Sequence, residues 1–275
     1  MSNNLQKLAC SSVFTALAFA VAGGSAHAAE ACDLTNGLAV TTQDFIEEAK
    51  VCVKGTPDVQ TRALLESELV RLTGVARGGA SKSSLQALDS LNEAARLHAM
   101  DMAVRGYAAH YDPEGRSHLD RVRQLDRVSL FGAFGANVTV VPAGASAKDI
   151  QLALLSDPAN AENLLRTDFT HLGVGVAQKD GQIYVVQLFA ERAGVLDAPL
   201  SATVASGTVV KANFANPAEE RTRWMIVAAD GAELSSGRGQ KLAVTGKSPQ
   251  TGYLTIEARA RGAVSQFKGP AVTVN

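Results

Sequence analysis

The 275-residue sequence is nearly neutral and moderately polar. Its 26 basic and 27 acidic residues give a formal net charge of −1 at pH 7, and charged residues make up 19% of the chain. This balance provides no electrostatic basis for binding nucleic acid or an anionic membrane surface, so neither partner is expected. The length is sufficient for two domains, each with a hydrophobic core.

Residues 1–28 have the composition of an export signal. Lys7 supplies a positive charge, an apolar and uncharged stretch follows from residue 10 to 22, and an A-x-A motif ends at Ala28. The apolar stretch is too short for a permanent membrane helix, and no later stretch approaches the required length. We therefore expect cleavage after Ala28 and a periplasmic or extracellular protein without an integral membrane segment.

Two cysteines, Cys32 and Cys52, follow the expected cleavage point. In an oxidising compartment they should form a disulfide, which the chain-entropy model values at roughly 3 kcal/mol for a loop of about 20 residues. No C-x-x-C motif is present, so these cysteines give little support for a redox or zinc site.

The chain up to about residue 105 is predicted to be helical. Apolar spacing predicts a helix over 41–54, and an N-cap threonine followed by proline predicts a second helix over 56–73. The Gly- and Ser-rich residues 76–84 predict a loop. The third predicted helix, 84–105, has an apolar stripe that includes His98, so this imidazole should be buried.

A rigid corner is predicted after the third helix. Residues 112–115 (DPEG) are typical of a type I turn, and Ser117 with Asp120 forms a capping box that should begin a short helix. His110 directly precedes this corner and should be held in a fixed position. A lone histidine is more often structural than functional, so the role of His110 depends on its surroundings.

The second half of the chain is predicted to change from helices to strands. A short helix is expected over 149–155 and a turn or short helix over 160–165. A β-hairpin with strands 172–178 and 182–189 follows, which makes the fold class α+β. Beyond about Ala193, short strands alternate with turns and suggest a small Ig-like β-sandwich with Trp224 in its core. The strands predicted there are 200–205, 208–214, 223–229, 241–245, 253–260 and 271–274.

Four sequence blocks occur in the order and spacing of a known family. They are Leu91–Val122, Gly135–Val138 (GANV), Asn163–Leu165 (NLL) and Phe169–Ala190. With these blocks the chain resembles a bacterial CAP domain, also called an SCP domain, of the family of cysteine-rich secretory proteins, antigen 5 and pathogenesis-related proteins. The resemblance implies an α-β-α sandwich. The expected organisation is a signal peptide (1–28), an N-terminal helical extension (29–59), a CAP-like domain (60–193) and an Ig-like domain (197–275).

The resemblance also implies a central cleft, which in this family commonly carries two histidines and two glutamates. His110 matches the first histidine. The G-E-N block reads G-A-N here, so Ala136 replaces a glutamate, and Asn160 stands in place of the second histidine. The second glutamate has no clear counterpart. The candidate cleft residues are His110, Asn137, Asn160 and His98.

These losses weaken the chemistry expected of the cleft. A divalent metal needs about three convergent ligands, so no cofactor is expected, although weak divalent metal binding stays open. General acid–base catalysis needs a second titratable group near His110, and Ala136 provides none. Ser117, His118 and Asp120 lie on one helical turn and do not form a catalytic triad. His118 and a further histidine, His171, are predicted to be solvated or structural.

The sequence is compatible with three functions. The first is an exported module that binds a small or lipidic ligand or an envelope protein through a degenerate, non-catalytic cleft. The second is a cell-envelope hydrolase that uses His110. The third is a structural or adhesive envelope protein that binds through its C-terminal β-sandwich. Whether the chain is an enzyme stays open, and the missing carboxylate favours a non-catalytic protein.

Overall fold

A central antiparallel sheet carries helices on both of its faces. The computed structural model describes residues 32–33, 41–56, 58–244 and 250–274, which lie within one compact unit, Ala31–Asn275. The helices are α1 (Thr42–Cys52), α2 (Ala63–Gly79), α3 (Asp89–Arg105), α4 (His118–Leu125), α5 (Ala147–Ser156) and α6 (Pro158–Leu165). The strands are β1 (Gln60–Thr61), β2 (Gln86–Ala87), β3 (Ser129–Pro142), β4 (His171–Lys179), β5 (Gln182–Leu196), β6 (Thr203–Val204), β7 (Ala212–Phe214), β8 (Glu220–Val227), β9 (Glu233–Gly237), β10 (Gln250–Ala260) and β11 (Ala263–Val274).

The first half of the sheet forms the middle layer of an α-β-α sandwich. Its strand order is β1-β4-β5-β3, and neighbouring strands are antiparallel. Successive side chains of β5 alternate between two cores: Val186 and Leu188 pack with α1, α3 and α4, whereas Val185 and Phe189 pack with α2, α5 and α6. This period of two is what a strand buried on both faces requires. The predicted α+β class is confirmed.

Two glycines of β4 allow α3 to lie directly on the sheet. A Cβ atom at Gly173 would lie 2.3 Å from the backbone of Leu91, and one at Gly175 would lie 2.1 Å from the backbone nitrogen of Arg96. Helix and strand therefore touch backbone to backbone, which fixes the position of α3. Since α3 carries His98, this contact also positions the candidate site.

The local signals of the sequence were mostly interpreted correctly. The capping box of Ser117 and Asp120 is present at the start of α4, and the hairpin between β4 and β5 turns through Asp180 and Gly181, both with positive φ. The second helix was predicted wrongly. It begins at Ala63 rather than at residue 56 and continues to Gly79, through part of the expected loop.

Strand β3 was missed by the sequence analysis. It runs from Ser129 to Pro142 and pairs with β5 along its length. Gly132 and Gly135 interrupt its apolar pattern, and no element was predicted there. Their small size has a tertiary reason, because a Cβ at Gly135 would lie 2.7 Å from the ring of Phe169.

The C-terminal strands extend the same sheet, and the predicted Ig-like sandwich is not confirmed. The strand order continues from β3 through β11, β10 and β8 to β9. Strands β3 and β11 share one described pair, Phe131 opposite Lys268, and β7 pairs with the end of β5 from Gly194 to Leu196. Trp224 is buried in the core of this region, as predicted, together with apolar residues of β10 and β11.

Two arginines connect the helical layer to the C-terminal strands. Arg123 of α4 is buried and donates to the carbonyl oxygens of Gly269 and Leu254, each at 2.6 Å. Arg127 donates to the carbonyls of Leu200 and of β11. Each bond satisfies a backbone carbonyl that would otherwise lose its hydration. The division into domains near residues 193–197 stays a prediction.

The predicted disulfide is present. Cys32 and Cys52 are joined with an S–S distance of 2.07 Å, which ties the chain before α1 to the end of that helix. The predicted signal segment and Ala28 lie outside the described residues. Within the described part of the chain, no helix is long and apolar enough to cross a membrane.

Candidate functional site

Helix α3 delivers His98 to the interface with α4. The side chain is fully buried, and its Nε2–H donates to the carbonyl oxygen of Ala109 at 2.9 Å. Burial and the positive charge of Arg121 lower the pKa of His98 to about 4, against smaller opposing effects of the Ala109 carbonyl and nearby carboxylates. The imidazole is therefore neutral at physiological pH.

Three histidines form a row that leads from the protein surface to this buried ring. The ring centroids of His98 and His118 are 4.2 Å apart, those of His118 and His110 are 5.7 Å apart, and both pairs meet edge to face. His110 is exposed, whereas His118 is only 3% exposed. We call His98, His118 and His110 the histidine row.

His118 is the central and most isolated member of the histidine row. Neither of its ring nitrogens has a hydrogen-bond partner among the described residues, and the Nδ1 of His98 also lacks one. Burial, followed by the neighbouring His98 and His110, lowers the pKa of His118 well below its ordinary value. Protonation of this ring would thus create a buried charge with no acceptor, which is strongly unfavourable.

An ion-pair network lies beside the histidine row and includes the predicted turn. One terminal nitrogen of Arg121 donates to Asp101 at 2.6 Å and to Asp112 at 2.8 Å, and all three side chains are buried. Arg116 pairs with Asp112, and Arg105 pairs with Asp101. Although burial opposes it, hydrogen bonds from Arg116 and the charge of Arg121 hold the pKa of Asp112 below its usual value.

Asn137 belongs to a different polar cluster, on the opposite face of the sheet. Its Nδ2 donates to the carbonyl oxygen of Asn160 at 3.0 Å and to Oε1 of Gln187 at 3.2 Å, and its Oδ1 accepts from Asn163. Gln187 in turn donates to Thr73 of α2. These amides satisfy one another between β3, β5, α2 and α6, so Asn137 has a structural role in this arrangement.

The candidate cleft residues are therefore not brought together as one set. The structure joins His98 and His110 through His118, and it joins Asn137 to Asn160 beneath α6. In the described part of the chain, no hydrogen bond or ring contact connects these two pairs. Nor do the described residues include a group of three or more His, Cys, Asp or Glu side chains placed to hold a metal ion.

Residues 70–189 match the model of the cysteine-rich secretory protein family, CAP. The chain contains a CAP domain. Uncharacterized protein YkwD of Bacillus subtilis (strain 168) is 25% identical over 122 residues, which are 44% of this chain and 46% of YkwD. This chain thus spans less than half the length of that curated relative.

Two solved structures are similar to the chain. One is an outer surface protein from Borrelia burgdorferi, with a TM-score of 0.44 and 19% identity over 48% of this chain and 98% of that protein. The other is an extracellular protein containing a SCP domain from Bacillus anthracis str. Ames. It has a TM-score of 0.41 and 20% identity, over 53% of this chain and 43% of the other.

Within this CAP domain, Ala136 lies on β3 and packs against the core shared with α3 and α4. Its carbonyl oxygen accepts a hydrogen bond from Asn163 at 3.1 Å, so the backbone at this position is used for structure. The remaining histidine, His171, lies at the start of β4, and its Nδ1 is 2.8 Å from the hydroxyl of Thr170. It takes no part in the histidine row.

The candidate cleft residues chosen from the sequence did not include three residues at or beside the histidine row: His118, Asp101 and Arg121. One signal was available for His118 and Arg121. The capping box makes His118 the first residue of α4, and Arg121 follows it by three positions, so both side chains lie on one helix face. That this face turns toward α3 depends on the packing of the two helices and is not encoded in the local pattern.

Proposed function

We propose that this chain is an exported CAP-domain protein that binds a small or lipidic ligand or an envelope protein and performs no catalysis. The leader sequence and the disulfide between Cys32 and Cys52 support export, to the periplasm or beyond the cell. A CAP scaffold alone does not specify a reaction, so the histidine row and its neighbours determine which chemistry is available.

The observation that carries the proposal is the pairing of the carboxylates around that row. Asp101, Asp112 and Glu114 all accept hydrogen bonds from arginines. A carboxylate held by arginine is a poor base and does not orient a neighbouring imidazole. Among the described residues, no hydrogen bond or ion pair joins His110 to a carboxylate, so we infer that it lacks the partner that nucleophilic or acid–base catalysis requires. The two buried imidazoles are neutral groups in a packed interface.

Hydrolysis assays test the non-catalytic part of the proposal. The wild-type chain, His110→Ala and a matched control, His171→Ala, would be assayed with a chromogenic acetate ester and with purified cell-wall polymer, with and without added zinc. We expect all three proteins to match the background rate. Hydrolysis by the wild type that is lost in His110→Ala but retained in His171→Ala would establish the hydrolase instead.

Titration with a single-chain fatty acid, palmitate, tests the binding part for a lipidic ligand, and chemical crosslinking in the native envelope tests it for a protein partner. Binding that weakens in His110→Ala and not in His171→Ala would place the ligand at the exposed end of the histidine row. Arg259 of β10 and Arg238, which directly follows β9, line one surface depression of the C-terminal region. Binding unaffected by His110→Ala but lost when both arginines are changed to glutamate would favour the adhesive function.

A further inference from the structure

We propose that the outer edge of β3 pairs with the same edge of a second copy of this chain, so that two CAP domains share one continuous antiparallel sheet. The proposal concerns an interaction surface and does not depend on a ligand of the cleft. It follows from the pairing pattern of one strand and from the identity of its residues.

Within the described residues, strand β3 is paired continuously along one of its two edges and at a single position along the other. Toward β5 the pairs run without a break from Ala133 to Pro142. Toward β11 the one pair is Phe131 opposite Lys268, after which the two strands diverge. Among the described residues, no strand therefore covers the outer edge of β3 from 134 to 142, a length of about 30 Å.

The hydrogen bonds at the end of β3 show which backbone groups face outward. The N–H of Ala143 donates to Gly181 at 2.9 Å, on the β5 side. Because alternate residues of an antiparallel strand face the same neighbour, the odd-numbered residues of β3 bond to β5. The bond from Asn163 to the outward carbonyl of Ala136 agrees with this assignment. The residues with outward backbone groups are Phe134, Ala136, Val138, Val140 and Pro142.

This edge is self-complementary about a two-fold axis at Thr139. In that register Val138 of each copy lies opposite Val140 of the other. Each of these residues has an outward N–H and an outward C=O, so the two valines of one copy form reciprocal hydrogen bonds with those of its partner. The pairs on either side of the axis are identical by symmetry, as an isologous contact requires.

The ends of the paired segment fit the same register. Ala136 of one copy lies opposite Pro142 of the other, and proline has no N–H to donate. The acceptor that would need this donor is the carbonyl of Ala136, which already accepts from Asn163 of its own chain. The remaining groups, the N–H of Ala136 and the carbonyl of Pro142, can bond to each other. The missing N–H of Pro142 therefore leaves no backbone group of this segment without a hydrogen-bond partner.

Strand β3 lacks most of the features that usually prevent an open strand edge from pairing with another chain. Residues 129–142 contain no charged side chain, and residues 138–141 are all valine or threonine, which favour strands. Natural proteins usually protect an open edge with charges, a bulge or an internal proline. Here the bulges fall between residues 130 and 133, and the proline ends the strand. A second copy therefore meets no like-charge repulsion along this edge.

Sedimentation equilibrium over a range of protein concentrations tests the proposal directly. The wild type should form a dimer reversibly. Val140→Pro removes an outward N–H without affecting a bond to β5, and it should raise the dissociation constant by about tenfold or more. Val140→Thr keeps the N–H and the branched shape, and it should dimerise like the wild type.

Hydrogen exchange of the unaltered chain covers the case in which Val140→Pro fails to fold. Raising the concentration should slow the exchange of the Val138 and Val140 amides and leave that of Thr139, which already bonds to β5, unchanged. A monomer at every concentration up to millimolar, with rapid exchange at both valines, would overturn the proposal.

A disulfide across the axis tests the register. In a background with Cys10→Ser, Thr139→Cys places its thiol opposite the same position of the second copy, at a non-hydrogen-bonded site where β-carbons are close. We expect a covalent dimer under oxidising conditions. The control, Val209→Cys, is 53% exposed and lies outside β3, and it should stay monomeric on a non-reducing gel. Dimerisation that persists in Val140→Pro without any Thr139→Cys crosslink would place the interface elsewhere and refute the model.

Discussion

Acidification should destabilise this protein through the histidine row. The pKa of His98 is lowered to about 4 in the folded chain, from an ordinary value of 6.5. Because the unfolded chain binds the proton more tightly, the stabilisation is complete above pH 6.5 and is lost as the pH falls toward 4. Between pH 7.5 and pH 5, His98 alone should lower the free energy of unfolding by about 2 kcal/mol. His118 acts in the same direction.

Urea unfolding at these two pH values provides the measurement, with His98→Gln and His118→Phe as the informative variants. His98→Gln keeps a donor for the Ala109 carbonyl but does not titrate, and His118→Phe keeps a ring at a site where neither nitrogen has a partner. Each variant should lose less stability than the wild type between pH 7.5 and 5. Equal losses in all three proteins would refute the buried neutral state of the histidine row, since every other titrating group is unchanged.

Three further predictions concern stability and can be checked by the same urea titrations at pH 7.5. Reducing the bond between Cys32 and Cys52 should lower the free energy of unfolding by about 3 kcal/mol, and a double serine variant should show no further effect of reductant. Arg123→Ala leaves two buried carbonyls of β10 and β11 without donors and should cost about 3 kcal/mol, so a loss near zero would contradict its bridging role. Gly175→Ala forces a Cβ into the backbone of α3 and should cost about 3 kcal/mol or prevent folding, whereas Gly144→Ala, which meets no atom within 4 Å, should be nearly neutral.

The elements that could be predicted from the sequence are those specified by nearby residues. The capping box of Ser117 determines where α4 begins, and the apolar stripe of α3 correctly predicted the burial of His98. Strand β3 could not be recognised because Gly135 reflects a close contact with Phe169, more than thirty positions away in the chain. The sheet extends into the C-terminal strands partly through the pair of Phe131 and Lys268, which lie more than a hundred positions apart in the chain, so periodicity alone suggested a separate sandwich.

The charges around the candidate site, like strand β3, could not be predicted from nearby residues in the sequence. The resemblance identified His110 from its block, but its chemistry depends on whether nearby carboxylates are free, and this is decided by Arg121 and its neighbours in space. Arg121 binds both Asp101 and Asp112, and their negative charges raise the pKa of His98 by less than burial and the positive charge of Arg121 lower it. The arginines that stabilise the turn before α4 thus also keep the buried imidazoles neutral. Under the proposed function, His110 stands at the position of the first cleft histidine but has no free carboxylate to act with, because Arg121 holds Asp101 and Asp112.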